Sequence, residues 1–425
     1  MARSRPGDAA PSSAASRVRT PAGGLRRMTG TALPVLMASG MIYVLPLMAR
    51  PFLSASEYAT WALGATVLSI TLVFDLGSTA FVLTTAGTPL LTQKRLLAST
   101  GLAVAGALAP GLALAALWPW YSEGRGMQMA GASGITYFLA ITAAASLRSA
   151  ALVSLAVMLA TGRLRRRARA LLGQAILQVV ATASALYLGA GIWALPIGVF
   201  LSGTALLVYV RSGFTAPVAV RAATQEVRLR SYARARLGLS ALGLYLTQLD
   251  RWVVGLIVPV TALAPYDTAS RVAGLPRLVI IALSGVLVAD SAHAHAAGVK
   301  AVALVYRKAF MATAGVGLAL AVVVVMASSL VPVQSFAPVG LVAALTVAGT
   351  VNGITAPGTQ ILNGIGAPEV EYRYLLPCAL STTACWAIAA ATANEAAALY
   401  VGAANLAVWS AYYVARMPSA LRGAM

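Results

Sequence analysis

Apolar runs about as long as a bilayer is thick follow one another along almost the whole 425-residue sequence, and this removes most folds from consideration. About 20 apolar residues in a helix cross the ~30 Å hydrocarbon core. Within lipid every backbone N–H and C=O must find its partner inside the chain, so only helices or a closed barrel can span it. No series of ten-residue alternating segments marks a barrel. The composition agrees: 59% of residues fall in the class AVILMFWYC, 10% are charged, and the mean hydropathy is +0.81. A soluble domain could not cover its surface with that balance. The sequence therefore predicts an all-α integral membrane protein.

Twelve spans are expected, at roughly 29 to 49, 58 to 85, 97 to 119, 134 to 160, 170 to 189, 191 to 210, 236 to 259, 264 to 289, 309 to 332, 338 to 362, 374 to 393 and 396 to 415. A formal charge of +20 would suggest nucleic acid in a soluble chain. Here the basic residues fall in short loops, so they read as topology signals and no nucleic-acid partner is expected. Starting from a cytoplasmic N-terminus, 25 of the 31 Lys and Arg residues lie on the inner side. Only Arg50 and Arg125 lie outside, and the remaining four are within spans. A miscounted helix would scramble this asymmetry. It implies a multi-pass protein of the cytoplasmic membrane with both termini inside.

A short signature occurs twice. Pro51, Tyr58 and Thr60 recur as Pro259, Tyr266 and Thr268, at a constant offset of 208 residues. Each copy lies between one span and the next, and a weaker echo follows: Leu159 to Gly162 leaves the fourth span as Leu362 to Gly364 leaves the tenth. Six spans per half is an even number, so both halves enter the membrane in the same direction, as parallel repeats. The expected organisation is a disordered basic tail (1–28), an N-lobe (29–211), a cytoplasmic linker (212–235), a C-lobe (236–415) and a short cytoplasmic tail (416–425). The linker reads as an amphipathic surface segment or a solvated loop. The first tail shares the Arg-rich, acid-poor look of a transit peptide, but it abuts a multi-span domain directly.

Several stretches together resemble one family. They are Tyr58 to Trp61 leading to Phe74-Asp75-Leu76-Gly77, then Leu249-Asp250-Arg251-Trp252, then Tyr266 to Arg271. The pattern is similar to bacterial polysaccharide-export flippases of the multidrug/oligosaccharidyl-lipid/polysaccharide (MOP) exporter superfamily, although Ala59 and Asp267 stand where a glycine often follows the tyrosine. The resemblance implies two parallel six-helix lobes around a central cavity that opens alternately to each side. It implies outward movement of a polyprenyl-pyrophosphate-linked oligosaccharide for surface polysaccharide biosynthesis, with membrane lipid and polysaccharide polymerase machinery as partners. A drug/cation antiporter of the same superfamily is the alternative.

Charges within spans are the functional candidates on physical grounds alone, because each costs ~2.5 to 3.5 kcal/mol at the bilayer centre on insertion scales. Arg148, Arg251, Arg271 and Arg277 read as a cationic lining for an anionic substrate, since guanidinium groups clamp pyrophosphate and hold their charge when partly desolvated. The alternative is internal pairing, with Asp250 or Asp75 neutralising an arginine between helices. Arg271 could also reach the outer interface. On a continuous helix Arg271 and Arg277 lie about 120° apart, so both cannot face a lumen squarely. Pro276 predicts a kink there and ranks Arg277 ahead of Arg271. Asp75 and Asp250 are candidates for carrying a coupling H+ or Na+, or for capping and interhelical hydrogen bonds.

The remaining polar features carry less. His293 and His295 lack the accompanying carboxylates or cysteines of a metal site. Glu369 and Glu371 read as loop charges. Cys378 and Cys385 are too far apart along one helix to pair. No nucleotide-binding loop and no nucleophile with a base is recognisable, so no cofactor and no enzymatic reaction are expected.

Overall fold

A computed structural model describes residues 21–73, 78–85, 92–123, 127, 129, 131–161, 163–211, 229–248, 250–284, 287, 291, 294, 298–330, 337–365 and 367–423. The regular structure of these residues is helical throughout. In the first half run α1 (Pro21–Ala49), α2 (Ala55–Val73), α3 (Ser78–Thr85), α4 (Gln93–Ser122), α5 (Ala132–Ala160), α6 (Leu164–Tyr187) and α7 (Ala194–Arg211). The second half contains α8 (Leu229–Thr247), α9 (Asp250–Ile257), α10 (Val260–Ala273), α11 (Leu275–Ser284) and α12 (Val299–Leu330). It continues with α13 (Val339–Gly353), α14 (Ala356–Ile365), α15 (Tyr372–Ala391) and α16 (Glu395–Gly423). Helices α2 with α3, α8 with α9, α10 with α11 and α13 with α14 each make up one expected span, so these helices give twelve spans in two lobes of six. Seven of the spans are single stretches long and apolar enough to cross a membrane as they stand. Helix α1 begins at Pro21 and α8 at Leu229, inside the segments read as tail and linker, and α16 runs on past 415.

The N-lobe is built by α4 against α5, α5 and α6 against α7, and α1 against α6. In the C-lobe α15 and α13 pack on α16, α11 on α12, and α10 on α13. Large side chains such as Trp120, Leu117, Val323, Met326, Leu380 and Val408 are exposed around the outside, the surface expected where lipid is the solvent.

The two copies of the repeated signature start their spans by different local means. In the first, Ser54 and Glu57 form a reciprocal capping box: the Ser54 amide donates to Glu57 Oε2 at 2.8 Å, and the Glu57 amide to Ser54 Oγ at 3.3 Å. In the second, Pro259 occupies the N-cap of α10 with φ fixed at −58°.

The lobes meet along several stretches: α1 lies against α10 and α11, and α2 and α3 lie against α8. A single buried core at the signature end contains Tyr58, Trp61, Trp118 and Phe138 of the N-lobe together with Trp252, Tyr266, Ala269 and Leu341 of the C-lobe. Trp118 and Phe138 lie 4.6 Å apart between ring centres, and Tyr121 and Trp252 4.8 Å, so aromatic rings interlock across the seam. Gly255 permits this approach, because a Cβ there would lie 2.3 Å from Tyr121 Oη. Towards the other end the described apolar clusters belong to one lobe each: Leu239, Ile361, Tyr374 and Met417 in the C-lobe, and Phe81, Val153 and Ala156 or Leu155, Met158 and Leu206 in the N-lobe.

Candidate functional site

Between the lobes lies a cavity of about 340 Å³ whose wall includes all four span arginines. Arg148 comes from α5, Arg251 from α9, Arg271 from α10 and Arg277 from α11. Tyr43, Ser69, Gln174 and Gln178 of the N-lobe and Gln248, Asp250, Tyr266, Ser270 and Trp386 of the C-lobe complete its polar and aromatic lining. A second pocket of about 370 Å³ shares Ser69, Gln248 and Arg277 with the first and extends it past Asn352 and Thr355 towards Glu371 and Tyr374.

The expected angular separation of Arg271 and Arg277 assumed one unbroken helix, and the structure interrupts the span between them. Helix α10 ends at Ala273, Gly274 caps it, and α11 begins at Leu275. Pro276 cannot donate a backbone hydrogen bond, so the break falls beside the predicted kink. Both arginines line the one cavity. Gly274 has a further reason to be glycine: a Cβ would lie 1.9 Å from Tyr43 Oη of the N-lobe. Tyr43 Oη also donates to the Ser270 carbonyl at 3.3 Å, a second link across the seam.

The four arginines divide into two kinds. Arg251 and Arg271 are nearly inaccessible, at 4% and 8% exposure, and both donate through Nε to Asp267. The Arg271 bond is 2.7 Å long. Arg251 also donates to Ser270 Oγ at 2.9 Å and lies 3.5 Å from Asp250 Oδ1. Asp250 accepts from Tyr266 at 2.9 Å. These two arginines therefore realise the internal-pairing alternative, with Asp267 as the principal partner. Arg148 and Arg277 are different. Neither pairs with a carboxylate among the described residues, and the Nε of each is buried without a hydrogen-bond partner. Arg148 Nη1 makes one long contact, 3.5 Å to Gln178 Oε1.

Asp267 is the functional residue that the sequence reading passed over, as a mere replacement within the second signature. It is fully buried and accepts three bonds, the third from Tyr58 Oη at 3.0 Å. Tyr58 is the tyrosine of the first signature, so the two copies meet across the lobe seam. The legible signals were the four-residue spacing of Asp267 and Arg271, which places them on one helix face, and the departure from Ala59 at the matching position.

Asp75, His293 and His295 lie outside the described residues. Glu371 is not a solvated loop charge: it is 6% exposed at the start of α15, where the turn Pro368–Glu371 leads into the helix. Cys378 and Cys385 are free thiols. Against four guanidinium groups, the first cavity's wall sets Asp250 with Asp267 buried behind it, and Glu371 lines the far end of the second pocket, so Arg148 and Arg277 are the two without a carboxylate partner among the described residues.

No family model matches the sequence, and no curated protein matches it. The fold does have known counterparts. An inward-facing multidrug resistance MATE family transporter of the MOP superfamily superimposes with a TM-score of 0.64 at 15% identity, covering 92% of this chain and 96% of that one. A MOP superfamily transporter from Pyrococcus furiosus, reported for the reverse polarity of its binding pocket, gives 0.65 at 14% identity over 93% and 96%. The Vibrio cholerae MATE transporter VcmN in its bent form gives 0.64 at 14% over 95% and 98%. At such identities the likeness shows the fold: the chain has the two-lobed helical fold of MOP superfamily membrane transporters. The fold that the sequence resemblance implied is supported, and its polysaccharide-export part is not.

Proposed function

We propose that the protein is an alternating-access membrane transporter whose central cavity takes an amphipathic anion of drug size. The fold supports the first half of this reading, and so does the cavity between the lobes. The substrate class rests on one observation above all: Arg148 and Arg277 face the cavity from opposite lobes with no carboxylate partner among the described residues. Guanidinium groups in that state favour an oxyanion and repel a cation.

The structural counterparts described as multidrug transporters favour the drug-antiporter alternative over the lipid-linked oligosaccharide reading. The cavity agrees on size, since about 340 Å³ is within the ~300 to 1,000 Å³ range of drug-sized sites. On charge the cavity departs from a cation carrier, which would call for an acidic lining. The lipid-linked glycan remains the second reading, favoured by the same two guanidinium groups, which suit a pyrophosphate; its sugars would then sit outside this cavity. Several expectations belong to this proposal and rest on the sequence: the cytoplasmic-membrane location, inner termini, the lobe and linker boundaries, coupling to H+ or Na+ through Asp250 or Asp75, and partners in polysaccharide assembly.

The test is transport by reconstituted proteoliposomes of an anionic aromatic dye and a cationic dye of matched size. Uptake or efflux of the anion, lost in Arg148→Gln and Arg277→Gln proteins that fold normally, is expected. Transport of the cation alone would overturn the substrate class.

A further inference from the structure

The buried amides beside Arg148 are satisfied only in part by the hydrogen bonds they make within the fold. Gln174 and Gln178 lie four residues apart on α6, on one helix face. Both line the cavity, at 3% and 0% exposure. Gln178 Oε1 accepts from Gln174 Nε2 at 2.9 Å and receives the long contact from Arg148 Nη1. That orients the Gln178 amide and leaves its Nε2 donor without a partner. Gln174 Nε2 is also shared with Ser202 Oγ at 3.4 Å, which leaves Gln174 Oε1 as an unpartnered acceptor. Arg148 Nε is the third unsatisfied atom. Buried polar groups are normally paired, and three unpaired atoms in one cluster mark a place shaped for something else.

We propose that Arg148, Gln174 and Gln178 form an oxyanion-binding half-site on the N-lobe, which holds the phosphate head of the substrate while Arg277 faces it from the C-lobe. Arg148 Nε and Gln178 Nε2 donate to phosphate oxygens, and the cationic guanidinium compensates the charge. Gln174 Oε1 accepts from a hydroxyl, so a protonated phosphate monoester is preferred to a sulfonate, which brings no donor. The proposal rests on the anionic-substrate reading above and adds the residues and the oxyanion class. It also divides labour between the lobes: Arg251 and Arg271 are held by Asp267, and the N-lobe amides select the ligand.

The test uses the full chain in nanodiscs and equilibrium binding of three probes of one size: naphthyl phosphate, naphthalenesulfonate and naphthylmethylammonium. Wild-type protein is expected to bind the phosphate most tightly and the ammonium least. Gln178→Leu removes a donor to a charged ligand and should weaken phosphate binding about tenfold to a hundredfold. Gln174→Leu should erase the preference for phosphate over sulfonate. Gln178→Glu keeps the size and polarity, gives Arg148 a carboxylate partner and should abolish binding, so it serves if the leucine variant fails to fold. Phosphate binding that is unchanged in Gln178→Leu and Gln178→Glu but lost in Arg277→Gln would overturn the half-site and leave the anionic transporter standing; unpartnered atoms that hold only water give this result. Tighter binding of naphthylmethylammonium by the wild type would remove both.

Discussion

Asp267→Asn is the most informative single change in this protein. The side chain keeps its volume, loses its charge, and turns one of two acceptor oxygens into a donor. In the native arrangement that carboxylate accepts from Arg251, Arg271 and Tyr58 while fully buried. A charge pair ~4 Å apart interacts by about 4 kcal/mol at an effective dielectric of ~20. Two arginines bring more, offset by their mutual repulsion and by the desolvation of all three groups. Removing one partner of a buried pair costs ~3 to 5 kcal/mol, because the charges left behind are uncompensated. At ~2 to 4 °C per kcal/mol that lowers the melting temperature by roughly 6 to 20 °C. The assay is thermal unfolding of purified protein in detergent, followed by tryptophan emission. Adding Arg271→Gln to Asp267→Asn should recover part of the loss, since the second change removes one stranded charge; double-mutant coupling of ~1 to 3 kcal/mol is expected. Asp267→Asn protein with wild-type stability, or strictly additive losses in the pair, would refute the role of Asp267 as neutraliser of the cavity's C-lobe face.

Other substitutions probe the seam and the cavity separately. Tyr58→Phe deletes only the bond between the two signature copies, and should cost ~1 to 2 kcal/mol of stability in the same unfolding assay while shifting spin-label distances between α2 and α10 towards a more open signature end. Gly274→Ala places a methyl against Tyr43 and should destabilise the protein by ~1 to 3 kcal/mol, with recovery in Gly274→Ala/Tyr43→Ala measured by melting temperature. Arg277→Gln relieves an unpaired buried charge, so its stability should equal or exceed wild type while anion transport falls at least ~tenfold; a loss of stability equal to that of Asp267→Asn would mean that Arg277 has a carboxylate partner after all.

Much of the architecture was legible because lipid leaves so few options. Twelve apolar segments, the charge asymmetry of the loops and the doubled signature led to two six-helix lobes, the fold that is observed. The cavity was legible in part: charge in a span must face water or a partner, and all four arginines do line one cavity. What linear reasoning could not supply was the pairing. Arg251 and Asp267 are 16 residues apart and meet only because α9 and α10 fold back at Pro259. Tyr58 and Asp267 are 209 residues apart and meet only when the lobes associate. The helical-wheel argument that separated Arg271 from Arg277 assumed a continuous helix, and the span is interrupted between them at Gly274, beside the kink expected at Pro276. The amides of Gln174 and Gln178 gave no sequence signal, since a glutamine carries no charge to betray a buried site.

The central claim is that the cationic surplus of a MOP-fold cavity selects an anion, and transport selectivity tests it most directly. Proteoliposomes containing the wild-type protein should move an anionic aromatic dye at least ~tenfold faster than a cationic dye of the same size, and the ratio should fall towards unity in Arg148→Gln/Arg277→Gln protein that is folded and correctly inserted. Faster movement of the cationic dye by the wild type, with no change in the double variant, would contradict it.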